Sequence, residues 1–162
     1  MKHRNFASDN NAGMSPEALR GLLEANLHHA PAYGDDPTTE RAKRVLEIWF
    51  ERPCGVYFVA GGTSANSLAI AASIRNYQSV ICHEWAHIQN DECHAPGFFL
   101  PGIQLRPLPG PNGQLQPESI APVFEQSHGV HGTLPGLVSI TQCTEGGTLY
   151  PLAAIEELAD TA

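Results

Sequence analysis

The sequence predicts an α/β fold built on parallel strands with flanking helices, and two observations carry that expectation. An apolar, β-forming run at residues 55–59 leads into Gly61-Gly62-Thr63-Ser64 and then into strong helix formers over 65–75, which reads as strand, glycine turn and helix. Three more short apolar runs, at 79–82, 103–108 and 137–141, are separated by helix-patterned segments, the alternation that gives parallel βαβ units with right-handed crossovers. At 162 residues the chain amounts to about one domain, long enough for a single hydrophobic core.

The elements follow in order. Ser15-Pro16-Glu17 supplies an N-cap, a first-turn proline and a first-turn acid, and Leu19, Leu22, Leu23 and Leu27 then share one face of a helix. Asp36-Pro37 starts a second helix, with Val45, Leu46, Ile48 and Trp49 as its expected buried stripe and Pro53 as its stop. A short helix is expected over 87–92, a turn at Asn112-Gly113, a helix over 117–126 and a last helix over 151–159 opened by Pro151. That helix runs to the end of the chain without a glycine stop, which reads either as a cut chain or as an ordinary frayed terminus.

Composition narrows the function classes. Nine Lys and Arg against 17 Asp and Glu give a net charge of -8, so no basic surplus exists to attract phosphate backbones, and nucleic acid is not expected as a partner. No apolar run approaches the length of a membrane span and the first residues lack the apolar core of a secretory signal, so a soluble, cytoplasmic chain is expected. Cys54, Cys82, Cys93 and Cys143 form no CxxC pair, which argues for reduced thiols rather than a disulfide framework or a four-thiolate zinc site. Charged residues make up only 16%, below the ~25% of an average globular protein, a weak pointer to apolar surface meant for a partner or a further domain.

Two motifs could carry chemistry. The turn Gly61-Gly62-Thr63-Ser64 places small and hydroxyl residues where the first N–H groups of a helix are unpaired, a ready cup for a phosphate. It has neither the lysine of a P-loop nor the spacing of GxGxxG, so ATP and dinucleotides are not indicated, and an ordinary capped turn is the plain alternative. The second is His83-Glu84-Trp85-Ala86-His87, a literal HExxH, which on one helix would offer two imidazoles to zinc with Glu84 as general base of a metallohydrolase. However, His83 directly follows the apolar run 79–82, so it falls at a strand end with His87 beyond it on another element, and no metal site is expected. The only two lysines, Lys2 and Lys43, sit at the terminus and on an amphipathic helix, neither in a setting that would desolvate an amine for Schiff-base chemistry.

Five segments in collinear order, NFASDN at 5–10, AYGDDPT at 32–38, FVAGGTSANSLA at 58–69, WAHIQNDE at 85–92 and SITQCTEGGTLYPL at 139–152, give a chain that resembles the N-terminal part of the low-specificity L-threonine aldolases. These belong with the β-eliminating lyases to the aspartate-aminotransferase-like enzymes of fold type I, which use pyridoxal 5′-phosphate. The resemblance implies that residues 1–162 form the N-terminal part of the large domain, truncated before the Schiff-base lysine, so that this chain alone is inactive. It implies retro-aldol cleavage of L-threonine or L-allo-threonine to glycine and acetaldehyde, by enzymes that are homo-oligomers, dimers or tetramers. Residue by residue, Gly62 and Thr63 match the cofactor-phosphate turn, His87 the histidine stacked on the cofactor ring, and Ser8 a residue near the substrate carboxylate. Glu92 keeps the family spacing after His87, His131 stands where a second substrate-side histidine is expected, and Tyr33 is placed near the substrate, reaching across a dimer interface. A surface pair is the bland alternative for Glu92 and His131. The resemblance further implies that the strand at 55–59 lies at an edge and pairs with none of the other three, leaving apolar surface uncovered.

Overall fold

A computed structural model describes residues 9–126 and 129–162, and the chain divides into two compact units, Met1–Phe58 and Val59–Ala162.

Among the described residues the first unit holds two α-helices, both started by the signals read above. Helix α1, Pro16–Ala25, is capped by Ser15, whose side chain accepts a hydrogen bond from the Ala18 N–H at 3.2 Å. Helix α2, Pro37–Trp49, is capped by Asp36, whose Oδ1 accepts from the Thr38 and Thr39 N–H groups and whose Oδ2 accepts from the Thr39 hydroxyl at 2.6 Å. Those Thr39 bonds hold the Asp36 carboxyl below its ordinary pKa. The expectation that Val45, Ile48 and Trp49 form a buried stripe is not met: all three are exposed, as are Leu19, Leu22 and Leu23 of the preceding helix and Leu27, which lies beyond its end. Amphipathic patterning specifies which face can be covered, but the described residues do not cover it.

The second unit is a three-stranded parallel sheet in the order β2-β1-β3, with β1 Gln78–His83 central, β2 Gln104–Leu108 and β3 Leu134–Val138 at its sides. Pairing runs from Ser79 with Gln104 to His83 with Leu108 on one side, and from Gln78 with Leu134 to Ile81 with Val138 on the other, with an irregularity beside Gly136. Prolines lie only in the outer strands, Pro107 in β2 and Pro135 in β3, where a missing N–H is tolerated. Residues 55–59 carry no regular structure, so the expected first strand is not formed among the described residues.

Successive residues of β1 feed two cores, as strand alternation requires. Val80 and Cys82 pack with Ile70 of helix α3, Gly62–Ser73, with its C-cap Ile74, and with Ala86, Ile88 and Ile103. Ile81, fully buried, packs with Leu115, with Ile120 of α6, Pro117–Glu125, with Tyr150, and with Leu158 of α7, Leu152–Thr161. Burial pushes the Cys82 thiol up to about 11, so it acts as a small apolar side chain. Two short helices follow β1: α4, His87–Asn90, and α5, Ala95–Phe99, which sequence patterning does not reveal and which packs on α3. Among the described residues no helix is long and apolar enough to cross a membrane.

Candidate functional site

The C-terminal end of β1 is where the chemistry-bearing side chains gather, as expected for a parallel sheet whose crossovers leave ligand space at that edge. His83 closes the strand and is buried. Its Nδ1 accepts the Trp85 N–H at 3.0 Å, so its proton lies on Nε2, which donates to the Gly110 carbonyl at 3.0 Å. Both ring nitrogens are therefore committed to backbone. His87 begins the next helix, on the far side of a turn that Asn90 pins by donating to the Glu84 and Ala86 carbonyls. The HExxH string thus spans a strand end, a turn and a helix start, and its two imidazoles do not form the zinc pair considered for a metallohydrolase.

His87 instead turns to Glu92. Its Nδ1 lies 2.8 Å from Glu92 Oε1, and the same oxygen accepts from Asn66 Nδ2 at 2.7 Å. The Glu92 side chain is wholly buried while that of His87 is 46% exposed, so the cluster has a dry carboxylate beneath a half-open imidazole. The hydrogen bond to Glu92 raises the pKa of His87; burial opposes this, and the charges of Glu92, Glu145 and Asp91 add to it. A carboxylate only accepts, so the neutral ring carries its proton on Nδ1 and presents the Nε2 lone pair. Glu92 Oε2 has no hydrogen-bond partner, one of two such buried atoms among the described residues, the other being the Ser67 hydroxyl.

Helix α3 adds the second half of the site. Its N-cap is Gly61 and no side chain caps it, so the leading N–H groups of a twelve-residue helix stay available, with the positive end of the helix dipole behind them. A Cβ placed on Gly61 or Gly62 would meet nothing within 4 Å, so the packing of the chain itself does not demand glycine there. The open backbone suits an anionic group approaching the amides of Gly62 and Thr63. Asn66 lies one turn further along the same helix, and lines a groove of about 310 Å³ against Leu137, Val138, Ser139 and Ile140 on the β3 side.

The remaining expected residues are placed as follows. His131 is exposed in the turn before β3, and because β3 runs parallel to β1 it lies at the opposite end of the sheet from His83 and His87. Tyr33 belongs to the first unit, with φ of 64°, full exposure, and a groove shared with Gly34, Thr39 and Lys43. Ser8 lies outside the described residues. Two residues go unnoticed in the sequence: Asn66, whose signal is its spacing of four after Gly62, and Glu145, which lines a water-sized cavity of about 10 Å³ with His83, Trp85 and Thr141.

Fold and site together define a parallel α/β layer with an anion-ready helix start and a carboxylate-backed histidine at the strand ends. Comparison with known proteins makes the class specific. The model of the β-eliminating lyase family matches residues 5–162. Low-specificity L-threonine aldolases from Pseudomonas aeruginosa and from a second Pseudomonas strain are 46% and 45% identical over 145 residues, covering 90% of this chain and 42% of theirs. The structure of a threonine aldolase from Leishmania major superposes with a TM-score of 0.86 at 29% identity, covering 93% of this chain and 44% of that one. The chain belongs to the β-eliminating lyase family and spans less than half the length of these relatives.

Proposed function

We propose that this chain supplies the cofactor-phosphate turn and the proton-handling histidine of a pyridoxal 5′-phosphate-dependent threonine aldolase, as the N-terminal part of its large domain. The reaction is cleavage of L-threonine and L-allo-threonine to glycine and acetaldehyde. The observation that carries the reading is the Asn66-Glu92-His87 cluster, one helical turn from an uncapped glycine start, in a chain closely similar to low-specificity L-threonine aldolases. When bound, pyridoxal 5′-phosphate supplies the electron sink that lets a Cα–Cβ bond break.

The residues of this chain would hold the group and handle one proton. Gly62 and Thr63 hold the phosphate with backbone N–H groups at the positive end of α3. With the cofactor bound, His87 would contact its ring, and the Nε2 lone pair would take the β-hydroxyl proton of the substrate, directly or through water. The buried Glu92 carboxylate holds the Nδ1–H and stabilises the imidazolium formed by that transfer. Ser8 and Tyr33 serve the substrate side. Lys43 is tied to Glu40 at 2.7 Å on α2, which does not suit the Schiff-base role, and Lys2 lies outside the described residues. The partners of the enzyme are small amino acids and further copies of itself, not nucleic acid or membrane, in the cytoplasm.

The test is a chimera in which residues 1–162 replace the matching part of the Pseudomonas aeruginosa relative. It should release acetaldehyde from both threonine diastereomers, and His87→Ala should lower kcat by roughly 10²- to 10⁴-fold, the usual contribution of a positioned acid or base. A folded, cofactor-loaded chimera that cleaves neither substrate, or that ignores His87→Ala, refutes the proposal.

A further inference from the structure

Glu92 takes both of its protein hydrogen bonds on a single oxygen, from Asn66 Nδ2 at 2.7 Å and from His87 Nδ1 at 2.8 Å, while Oε2 has none. A buried carboxylate with half its acceptor capacity unused has its orientation decided by the donors that remain. The two donors are unequal. His87 is half exposed at the start of a four-residue helix, too short to hold a ring by itself. Asn66 stands on a twelve-residue helix anchored in the core by Ile70 and by its C-cap Ile74. The carboxylate accepts only, so the Asn66 amide must present its nitrogen, and the assignment of that amide is unambiguous.

We infer that Asn66 is a positioning residue for His87: by fixing Glu92 Oε1 it sets both the ring orientation and the tautomer of the imidazole. The inference rests on the aldolase reading for its consequence, since the Nε2 lone pair is the group that receives the substrate proton. It also makes α3 serve both ends of the site, with phosphate amides at its start and the anchor of the histidine one turn later.

NMR of the imidazoles in the full 162-residue chain, without cofactor or substrate, reads this directly. In the unaltered chain the neutral His87 ring should carry its proton on Nδ1, with a low-field ring N–H signal, and titrate above the ordinary histidine range. Asn66→Ala should abolish the low-field signal, shift the neutral ring toward the Nε2–H tautomer and lower its titration. Glu145 and Asp91, the other acids acting on this ring, are unchanged in that variant. Asn66→Leu, which keeps the side-chain volume and removes only its polar end, should do the same. In a Glu92→Gln background Asn66→Ala should add nothing, because the effect travels through Glu92. His83, held by Trp85 and Gly110 in the same unit, reports the fold and should keep its signals. An unchanged His87 tautomer in Asn66→Ala and Asn66→Leu, with His83 intact, overturns the inference even if the chimera is active. An inactive chimera with the tautomer shift present overturns the aldolase reading and leaves the inference standing.

Discussion

Replacing Glu92 by Gln removes a charge while leaving the shape and an acceptor oxygen for Asn66 and His87, so its effect on stability isolates the ionic part of the pair. The sign follows from His87, whose folded pKa is raised by the hydrogen bond to Glu92. A histidine with a raised folded pKa contributes stability that is fully present below its unfolded value of about 6.5 and is lost as pH climbs through the folded value. The magnitude is set by exposure. With 46% of the His87 side chain open to water, the pair is screened into the range of exposed ion pairs, about 0.2 to 1 kcal/mol. Above the folded pKa the attraction is gone and the unaltered chain keeps a buried carboxylate with one unpartnered oxygen, a charge burden that the neutral amide of the variant does not carry. The stability advantage of the unaltered chain over Glu92→Gln should therefore be largest near about pH 6 and should shrink or reverse by about pH 9. In thermal melts this amounts to a few degrees, since about 1 kcal/mol moves a domain of about 100 residues by ~4 to 8 °C. An advantage that is flat across that window, or that grows toward alkaline pH, refutes the reasoning.

Two further outcomes check other parts of the structure. The Tyr150 hydroxyl accepts the Leu115 N–H at 2.6 Å in a buried setting, so Tyr150→Phe orphans that donor and should cost about 1 to 3 kcal/mol, read as a lower urea midpoint with an unchanged slope. Borohydride reduction after incubation with pyridoxal 5′-phosphate should leave Lys43 without stoichiometric label in peptide maps, because its hydrogen bond to Glu40 raises its pKa and keeps the amine protonated; stoichiometric labelling would contradict this.

Elements announced by local chemistry were legible to the residue. Ser15-Pro16 and Asp36-Pro37 start α1 and α2 where a capping side chain and a proline say they should. Elements that depend on partners were less so. Residues 55–59 have strand composition, but a strand exists only when a neighbour accepts its hydrogen bonds, and none of the described strands does. β3 lies at 134–138 rather than 137–141, because Pro135-Gly136 reads as a breaker in isolation yet is admissible at a sheet edge. Helix α5 is the sequence APGFF, a turn by composition, which becomes helical only where α3 packs on it.

The site shows the same division, with one instructive twist. Resemblance named Gly62, Thr63, His87 and Glu92 singly, but the bond that ties Asn66 to Glu92 crosses 26 positions and has no local signature. Resemblance makes His131 a second substrate-side histidine, and parallel topology bears on where this chain carries it. In a parallel sheet, residues that follow a strand share one edge and residues that precede a strand share the other. His87 follows β1 and His131 precedes β3, so the two are sent to opposite ends, whichever bounds β3 is given. Glu145, which follows β3, is sent to the same end as His83; it lines the small cavity there, and its charge reaches His87. A parallel sheet inferred from alternating elements is therefore more than a fold class. It divides the loops between the two edges of the sheet, and in this chain it brings the acid after β3 to the edge that carries His83 and His87.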